Sequence, residues 1–314
     1  MEYTRGPGGT LRAIAMGVDF MSIAIDTSHA LRTLERATQF TGRSQAAPRR
    51  RNQFMLEWLF GRRKQLLKKG IQEEEYQRLD RSLWQGGFLS NDRREQLIRW
   101  SRVFIDEKTW EGCNGVKVTQ EMQWHVATAA GMMVLAYPDW YFDKTATILI
   151  HPKAYKARVE PRISSLTIGT ELAGEFYRSG ETIYRGPVVL NWQDIQLAGQ
   201  DANEGHHLVI HEFAHQLDMI NGPSADGLPP LPGNIDEVVW LKALKGEYQA
   251  AQEMVGQGYR ILMDDYGLTQ ESEFFAVASE LYFQRPRELA EYHPKVYELL
   301  RQFYVTDMAK IVTL

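Results

Sequence analysis

The segment Gly205-His-His-Leu-Val-Ile-His-Glu-Phe-Ala-His-Gln-Leu-Asp218 carries the strongest chemical signal in this chain. Within it, His211, Glu212 and His215 form the pattern H-E-x-x-H. On an α-helix, residues four apart lie on one face about one turn apart, so both imidazoles reach a single metal ion. Apolar residues surround the pattern and predict a largely buried helix: Leu208, Ile210, Phe213, Ala214 and Leu217.

The metal expected at these two histidines is zinc, one ion per chain. Zinc accepts neutral nitrogen ligands in tetrahedral geometry, and a catalytic site leaves one position to water. Glu212 follows His211 by one residue, so we expect it beside that water rather than on the metal. Zinc lowers the pKa of bound water from near 16 to roughly 7, and Glu212 is then the base that accepts the proton. A solvent-facing helix with two unrelated histidines is the alternative, disfavoured because buried imidazoles need a partner.

The ends of this helix are also marked in the sequence. Asp201-Ala-Asn-Glu204 has the form of a capping box, and Asn221-Gly-Pro223 is typical of a helix end. The residues from Asn221 to Asn234 then form a loop rich in proline and glycine. A loop of this length in a compact domain is usually functional or mobile, so it is either a rim over the metal or a crossover.

Composition is that of an ordinary soluble globular protein, with 44% hydrophobic and 24% charged residues. The formal net charge of −4 gives no whole-chain attraction to nucleic acid or anionic membranes. The single cysteine, Cys113, excludes an intramolecular disulfide and fits a reducing compartment. No apolar run reaches the roughly 18 residues of a transmembrane helix, and Ala13–Ile25 lacks the features of a signal peptide. We therefore expect a cytoplasmic protein without a membrane span.

The first 54 residues differ from the rest of the chain. They open with Gly6-Pro-Gly-Gly9 and close on Pro48-Arg-Arg-Arg-Asn52. This composition predicts that residues 1–54 are a disordered or non-domain leader and that residues 55–314 form the folded domain, which the H-E-x-x-H helix makes a candidate zinc metallopeptidase domain. The basic segment from Arg49 to Lys69 offers a weaker reading as a nucleic-acid contact, which predicts steeply salt-dependent binding. No direct contact with nucleic acid is expected.

Most of the remaining pattern is helical. Apolar residues recur at helical spacing from Glu73 to Ile105, with a capping residue at Ser90 between two helices. The apolar stretch Thr119–Ala136 predicts a fully buried helix. A further helix is expected over Asp236–Gln257, and its inward-facing residues include Val238, Val239 and Leu244.

Short strands complete the pattern. Ala146–Ile150 is the clearest of them, and Ser165–Ile168 and Thr182–Tyr184 are weaker candidates. Together with the helices they predict an α+β fold, and the H-E-x-x-H helix within it is typical of a zincin-like metallopeptidase. In it, a small sheet packs on the zinc helix within a mostly helical surround.

Gly186-Pro-Val-Val-Leu-Asn-Trp192 is the most informative strand. A proline near the start of a strand is tolerated mainly at a sheet edge, where its missing N–H removes no ladder bond. An extended peptide adds to such an edge as another strand. The candidate substrate-binding residues are therefore Val188, Val189, Leu190 and Asn191. An edge strand that only closes the fold is an equal alternative.

A catalytic zinc site needs a third ligand from elsewhere in the chain. The longer pattern H-E-x-x-H-x-x-G-x-x-H is not followed, because Asp218 and Asn221 occupy its last two positions. Asp218 shares the helix of both histidines and has a short side chain, so we expect it to orient a ligand or an adjacent backbone group. The other source is a later helix over Glu271–Glu280, in which Glu273 and Glu280 are both candidates.

These segments resemble the Mlc titration factor A family of zinc metallopeptidases, whose catalytic region looks like that of lethal-factor-type zinc peptidases. The resemblance covers roughly Met55 to the C-terminus. The matching stretches are Gly186–Ile195, His211–Asp218, Asn221–Gly222, Glu273–Glu280, and Phe303–Tyr304 before Asp307.

The resemblance implies a zinc-dependent peptidase of the gluzincin type, specifically an aminopeptidase acting on peptide substrates. It selects Glu273 as the third zinc ligand beside His211 and His215, with Glu212 as general base. It also implies a catalytic tyrosine seven residues before Glu273, which is Tyr266. A phenol O–H there donates to the oxyanion that develops on the scissile carbonyl.

The family's namesake binds a transcriptional repressor, so the resemblance also implies such a partner, although no residue identifies the surface. The alternative function is accordingly a non-catalytic, metal-stabilised regulatory protein that binds the repressor. Glu212 argues against it, since a structural zinc site needs no base and closes its fourth position with another ligand. Two features depart from the family: residues 1–54 have no counterpart, and no histidine between Pro152 and Gly205 matches the additional zinc-reaching histidine of some members.

Overall fold

The computed structural model describes residues 61–153, 155–157, 176–178, 181–182, 184–198 and 205–312. The leader 1–54, the capping box expected at Asp201–Glu204 and the weak strand expected at Ser165–Ile168 lie outside these residues. Nothing in the described part of the chain therefore tests those three predictions.

Helices make up most of the described residues. None of them combines the length and the apolar character needed to cross a bilayer. Residues 61–68 are helical, and 3₁₀ turns cover Trp84–Phe88 and Asp265–Leu268. The other helices are α1 (Glu73–Ser82), α2 (Asn91–Glu107), α3 (Gln120–Met133), α4 (Trp192–Ala198), α5 (Leu208–Asp218), α6 (Glu237–Gly256), α7 (Glu271–Gln284), α8 (Pro286–Tyr292), α9 (Pro294–Tyr304) and α10 (Met308–Ile311).

Short polar side chains cap the beginnings of several of these helices, among them α2, α3 and α6. Ser90, Thr119 and Asp236 each accept the backbone N–H three residues later, at 3.5, 3.3 and 3.0 Å. Such caps satisfy N–H groups that have no partner within the helix itself. The predicted helix beginnings at these three positions are therefore confirmed, and α3 is buried from Trp124 to Met133 as expected.

A four-stranded sheet lies beside the helices, with strand order β1-β2-β6-β5. The first three of these strands are parallel, and β5 runs antiparallel to β6. A separate antiparallel pair is formed by β3 and β4. The predicted α+β class is confirmed. The strands are β1 (Thr109–Gly112), β2 (Thr147–His151), β3 (Tyr155–Ala157), β4 (Phe176–Arg178), β5 (Glu181–Thr182) and β6 (Val188–Asn191).

The prediction that Val188, Val189, Leu190 and Asn191 form an edge strand is wrong. β6 pairs with β2 along its full length, and β5 covers its other side at Val188 and Val189. All four residues are buried, with exposed fractions of 0, 7, 0 and 0%. Pro187 precedes the first ladder residue, so its missing N–H costs the sheet no bond. β5 therefore occupies the position beside Val188 and Val189 that an added peptide strand would need, and substrate binding by the four residues stays a prediction.

The helix that carries H-E-x-x-H occupies the centre of the domain. α5 packs against α7, α3 and the strands β5 and β6. On its buried side, the ring of Phe213 meets those of Phe104 and Phe142 at centroid distances of 5.8 and 4.7 Å. α7 is buried from Phe274 to Gln284. Two buried helices therefore hold their side chains in fixed positions relative to one another.

Candidate metal centre

Three side chains from α5 and α7 converge on one point. The Nε2 atoms of His211 and His215 are 3.3 Å apart. The Oε2 atom of Glu273 lies 3.1 Å from the first and 3.2 Å from the second. Among the described residues, this is the group of histidine and carboxylate ligands with the spacing to hold a metal ion.

The triangle formed by these three atoms matches the geometry of zinc. Zinc–nitrogen bonds of about 2.0–2.1 Å put tetrahedral ligand atoms about 3.3–3.4 Å apart. The observed separations of 3.1–3.3 Å are close to that edge length. Two imidazoles and one carboxylate are also a donor set that zinc accepts in catalytic sites, with the fourth position left open. The residues present therefore fit the metal predicted from the sequence.

The local sequence explains why these atoms meet. His211 and His215 are one turn apart on α5, so their rings share a face. Glu273 lies in the first turn of α7 between Ser272 and Phe274, which are buried at 5% and 0% exposure. Burial on both sides of Glu273 sets the rotation of α7, and this rotation turns the Glu273 carboxylate toward α5.

The electrostatics of the centre favour a bound cation. Burial alone would raise the pKa of Glu273, but hydrogen bonds from His211 and His215 outweigh it and lower the value to about 2. Burial alone would lower the pKa of His211, yet the Glu280 and Glu273 carboxylates raise it well above its usual range. The Glu273 carboxylate is therefore charged at neutral pH and supplies the anionic oxygen that a divalent cation binds.

Glu280 supports this centre from the side opposite Glu273. The Nδ1–H of His211 donates to Glu280 Oε1 at 2.6 Å, and the backbone N–H of His207 donates to Oε2 at 2.6 Å. A carboxylate on Nδ1 fixes the tautomer and leaves Nε2 free as a ligand, as is common for histidines on zinc. The sequence had left Glu280 as an alternative zinc ligand. Glu280 lies seven residues after Glu273, two turns along the same helix face, and this spacing is the sequence feature that places it near His211.

Asp218 contacts the loop that follows α5. Its Oδ2 atom accepts the backbone N–H of Gly227 at 2.8 Å, and the carbonyl of Gly227 accepts the indole N–H of Trp240 at 2.9 Å. Gly227 has a φ of +77°, and a Cβ there would lie 2.8 Å from the Leu244 side chain. Only glycine fits this position without strain. The middle of the loop Asn221–Asn234 is therefore held by hydrogen bonds to a residue of α5 and to a residue of α6.

Two further predicted site residues lie next to the three ligands. Glu212 follows His211 on α5 and is 5% exposed. Tyr266 stands in the 3₁₀ turn Asp265–Leu268, which packs against α7, and is 55% exposed. The rings of Tyr266 and His211 have centroids 5.9 Å apart. Tyr266 therefore lies beside one of the three ligands at an exposed position.

A model of the glucose-regulated metallo-peptidase M90 family matches residues 58–305. The chain belongs to this family. It is therefore of a metallopeptidase kind, and the family implies a metal for the group formed by His211, His215 and Glu273.

Individual relatives point the same way. Mlc titration factor A from Serratia proteamaculans (strain 568) is 35% identical over 221 residues, covering 69% of this chain and 82% of that protein. The protein of that name from Edwardsiella ictaluri (strain 93-146) is 33% identical over 223 residues, with coverage of 70% and 82%. An uncharacterized protein of Synechocystis sp. is 30% identical over 251 residues, with coverage of 80% and 90%. The resemblance to the Mlc titration factor A family is confirmed.

Proposed function

We propose that this M90 protein is a zinc-dependent peptidase of the gluzincin type. The observation that carries the proposal is the convergence of His211 Nε2, His215 Nε2 and Glu273 Oε2 within 3.1–3.3 Å of one another. Three protein ligands with an open fourth position are typical of catalytic zinc, whereas a structural site is closed by four. The pattern H-E-x-x-H adds a carboxylate that such a structural site does not need.

The chain's own residues have separate roles in this proposal. When bound, zinc supplies a Lewis acid that polarises the scissile carbonyl and acidifies a water molecule. Glu212 accepts the proton of the attacking water and passes it to the leaving amine. Glu280 holds the His211 ring with Nε2 directed at the centre. Tyr266 donates its phenol O–H to the carbonyl oxygen as negative charge develops there.

Tyr266→Phe is expected to lower kcat by about 10²–10³-fold, the usual loss when one donor to an oxyanion is removed. KM should change little, because this hydrogen bond forms as the charge develops. Zinc content should be unchanged, which elemental analysis of the purified variant checks. The matched control is Tyr259→Phe, because Tyr259 is 62% exposed in the segment before the same turn. We expect this control to have the wild-type kcat. Equal kcat in Tyr266→Phe and wild type would remove Tyr266 from the mechanism.

The finer proposal is that the peptidase is an aminopeptidase, as the resemblance to the Mlc titration factor A family implies. It predicts that peptides with a free α-amino group are cleaved at the first bond, while their N-acetylated counterparts are cleaved at least about tenfold more slowly, equivalent to 1.4 kcal/mol of lost binding. Mass spectrometry of a peptide library before and after incubation identifies the cleaved bonds. Efficient internal cleavage of N-acetylated peptides would contradict the aminopeptidase assignment.

A regulatory protein whose metal is purely structural remains the competing proposal. The name that the Serratia and Edwardsiella relatives carry, Mlc titration factor A, supports a transcriptional-repressor partner for this chain as well. The two proposals differ in what Glu212 does. If the protein is a regulator with structural zinc, Glu212→Gln leaves partner binding unchanged and the wild type itself shows no peptide turnover. If it is a peptidase, Glu212→Gln loses the turnover that the wild type shows.

A further inference from the structure

One histidine near the metal centre has no role in the mechanism described so far. His206 directs its two ring nitrogens at two different carboxylates. Its Nδ1 lies 3.5 Å from Glu280 Oε2, and its Nε2 lies 3.5 Å from Asp264 Oδ2. The side chain is 60% exposed, so nothing in the core requires an imidazole at this position.

The Glu280 end of this contact is fixed. Glu280 has a side-chain exposure of 4% and is held by His211 Nδ1 and by the backbone N–H of His207, each at 2.6 Å. Its position is therefore set by the same hydrogen bonds that orient the metal ligand. His206 contacts Oε2 of this buried carboxylate, the oxygen that also accepts the backbone N–H of His207.

The Asp264 end belongs to the turn that carries Tyr266. Asp264 Oδ1 accepts the backbone N–H of Tyr266 at 2.8 Å, and the Asp264 carbonyl accepts the N–H of Gly267 at 3.0 Å. Asp264 therefore caps the 3₁₀ turn. The turn packs against α7, but the side chains of Asp264, Asp265 and Tyr266 are all exposed, so the hydrophobic core does not enclose them.

We propose that His206 is a positioning residue that ties the Tyr266 turn to the metal centre through Asp264 and Glu280. The contacts form one connected series from the backbone of Tyr266 through Asp264, His206 and Glu280 to the ring of His211. Its kinetic consequence rests on the proposed peptidase function, whereas the structural link itself does not.

Charge supports the same link. Hydrogen bonding to Glu280 raises the pKa of His206 against the effect of partial burial, and Asp264 adds to the rise. A protonated imidazole is a donor at both nitrogens, so it binds both carboxylates at once. A partly exposed ion pair of this kind is weak, so it biases the position of an exposed turn without determining the fold.

The first test measures amide exchange and needs no peptidase activity. Deuterium uptake by the peptide covering residues 263–269 is compared in wild type, His206→Ala, Asp264→Asn and Asp265→Asn, each with and without added zinc. Asp264→Asn keeps an oxygen to cap Tyr266 but removes the charge facing His206. Asp265→Asn removes an equal charge from the next residue, which is also exposed. We expect about twofold to fivefold faster exchange in His206→Ala and Asp264→Asn, and wild-type exchange in Asp265→Asn.

The second test asks whether His206 acts through Tyr266. His206→Ala should lower kcat by about twofold to fivefold with little change in KM and no change in zinc content. In a Tyr266→Phe background the same substitution should have no further effect, because the phenol that it positions is absent. A general structural defect would instead lower kcat equally in both backgrounds.

Two exchange results would overturn the link: a wild-type rate at residues 263–269 in His206→Ala, or equal rates in Asp264→Asn and Asp265→Asn. A kinetic result would also overturn it: His206→Ala lowering kcat as much in the Tyr266→Phe background as in wild type. Faster exchange in a protein with no peptidase activity would sustain the link and refute the proposed function. The two failures are therefore distinguishable.

Discussion

Glu212→Gln is expected to keep its full complement of zinc and to lose peptide turnover by on the order of 10²–10⁴-fold, the usual contribution of general acid–base catalysis. Glutamine has the size of glutamate, which matters because Glu212 is only 5% exposed. The substitution removes the base and none of the three converging ligand atoms. Turnover of a peptide found in a library screen, measured beside the zinc content of the same sample, checks both halves of the expectation.

Glu271→Gln is the matched control for this variant. Glu271 begins α7 two residues before Glu273, and its carboxylate pairs with Lys245 at 3.4 Å rather than with the centre. The control should turn over substrate at the wild-type rate. Undiminished turnover in Glu212→Gln would overturn the assigned role of Glu212. Loss of zinc from that variant would show instead that Glu212 supports metal binding.

Glu273→Ala is expected to have the largest effect on metal affinity among the carboxylate variants of this region. It removes the oxygen that lies 3.1 and 3.2 Å from the two histidine nitrogens and leaves two protein ligands. The loss of zinc affinity should exceed the roughly 10–100-fold that follows removal of a residue that only orients a ligand. Competition against a chromogenic chelator measures the change.

Two further variants distinguish a metal ligand from residues that orient a ligand or hold a neighbouring loop. Glu280→Gln loses the charged partner of His211 Nδ1, so its zinc affinity should fall within the 10–100-fold range. Asp218→Ala leaves the N–H of Gly227 without its acceptor, which costs about 1–3 kcal/mol of stability and lowers the melting temperature. Its effect on zinc should be far smaller than that of Glu273→Ala. Equal zinc affinity in Glu273→Ala and Asp218→Ala would remove Glu273 from the ligand set.

Features set by local rules were predictable from the sequence. The i, i+4 spacing places His211 and His215 on one helix face, and short polar residues cap the helices that begin after Ser90, Thr119 and Asp236. These rules depend on neighbours within a few residues. They do not depend on how the rest of the chain packs.

Features set by distant partners were missed. The edge assignment of Val188–Asn191 used the proline beside it, but the pairing with β5 is a contact that the strand's own sequence does not encode. In α6, Val238 and Val239 were expected to face inward and are 73% and 60% exposed. Trp240 takes the buried position instead, because its indole N–H reaches the carbonyl of Gly227 in the preceding loop.

The candidate site divides in the same way. The H-E-x-x-H helix is identified by spacing alone, but the choice between Glu273 and Glu280 required a resemblance. The packing of α7 on α5 shows how both carboxylates meet His211, with Glu273 near Nε2 and Glu280 on Nδ1. Tyr266 is 55% exposed in a short turn, and neither hydrophobic periodicity nor a capping rule identifies a residue at such a position as catalytic.

The measurement that most directly tests the centre is a crystal structure of the zinc-loaded protein with anomalous diffraction recorded on both sides of the zinc absorption edge. We expect one zinc per chain, bound by His211 Nε2, His215 Nε2 and Glu273 Oε2 at about 2.0–2.2 Å. We also expect an exchangeable fourth ligand on the side of Tyr266. An anomalous peak elsewhere in the chain, or a Glu273 carboxylate more than about 3 Å from the zinc, would contradict the assignment.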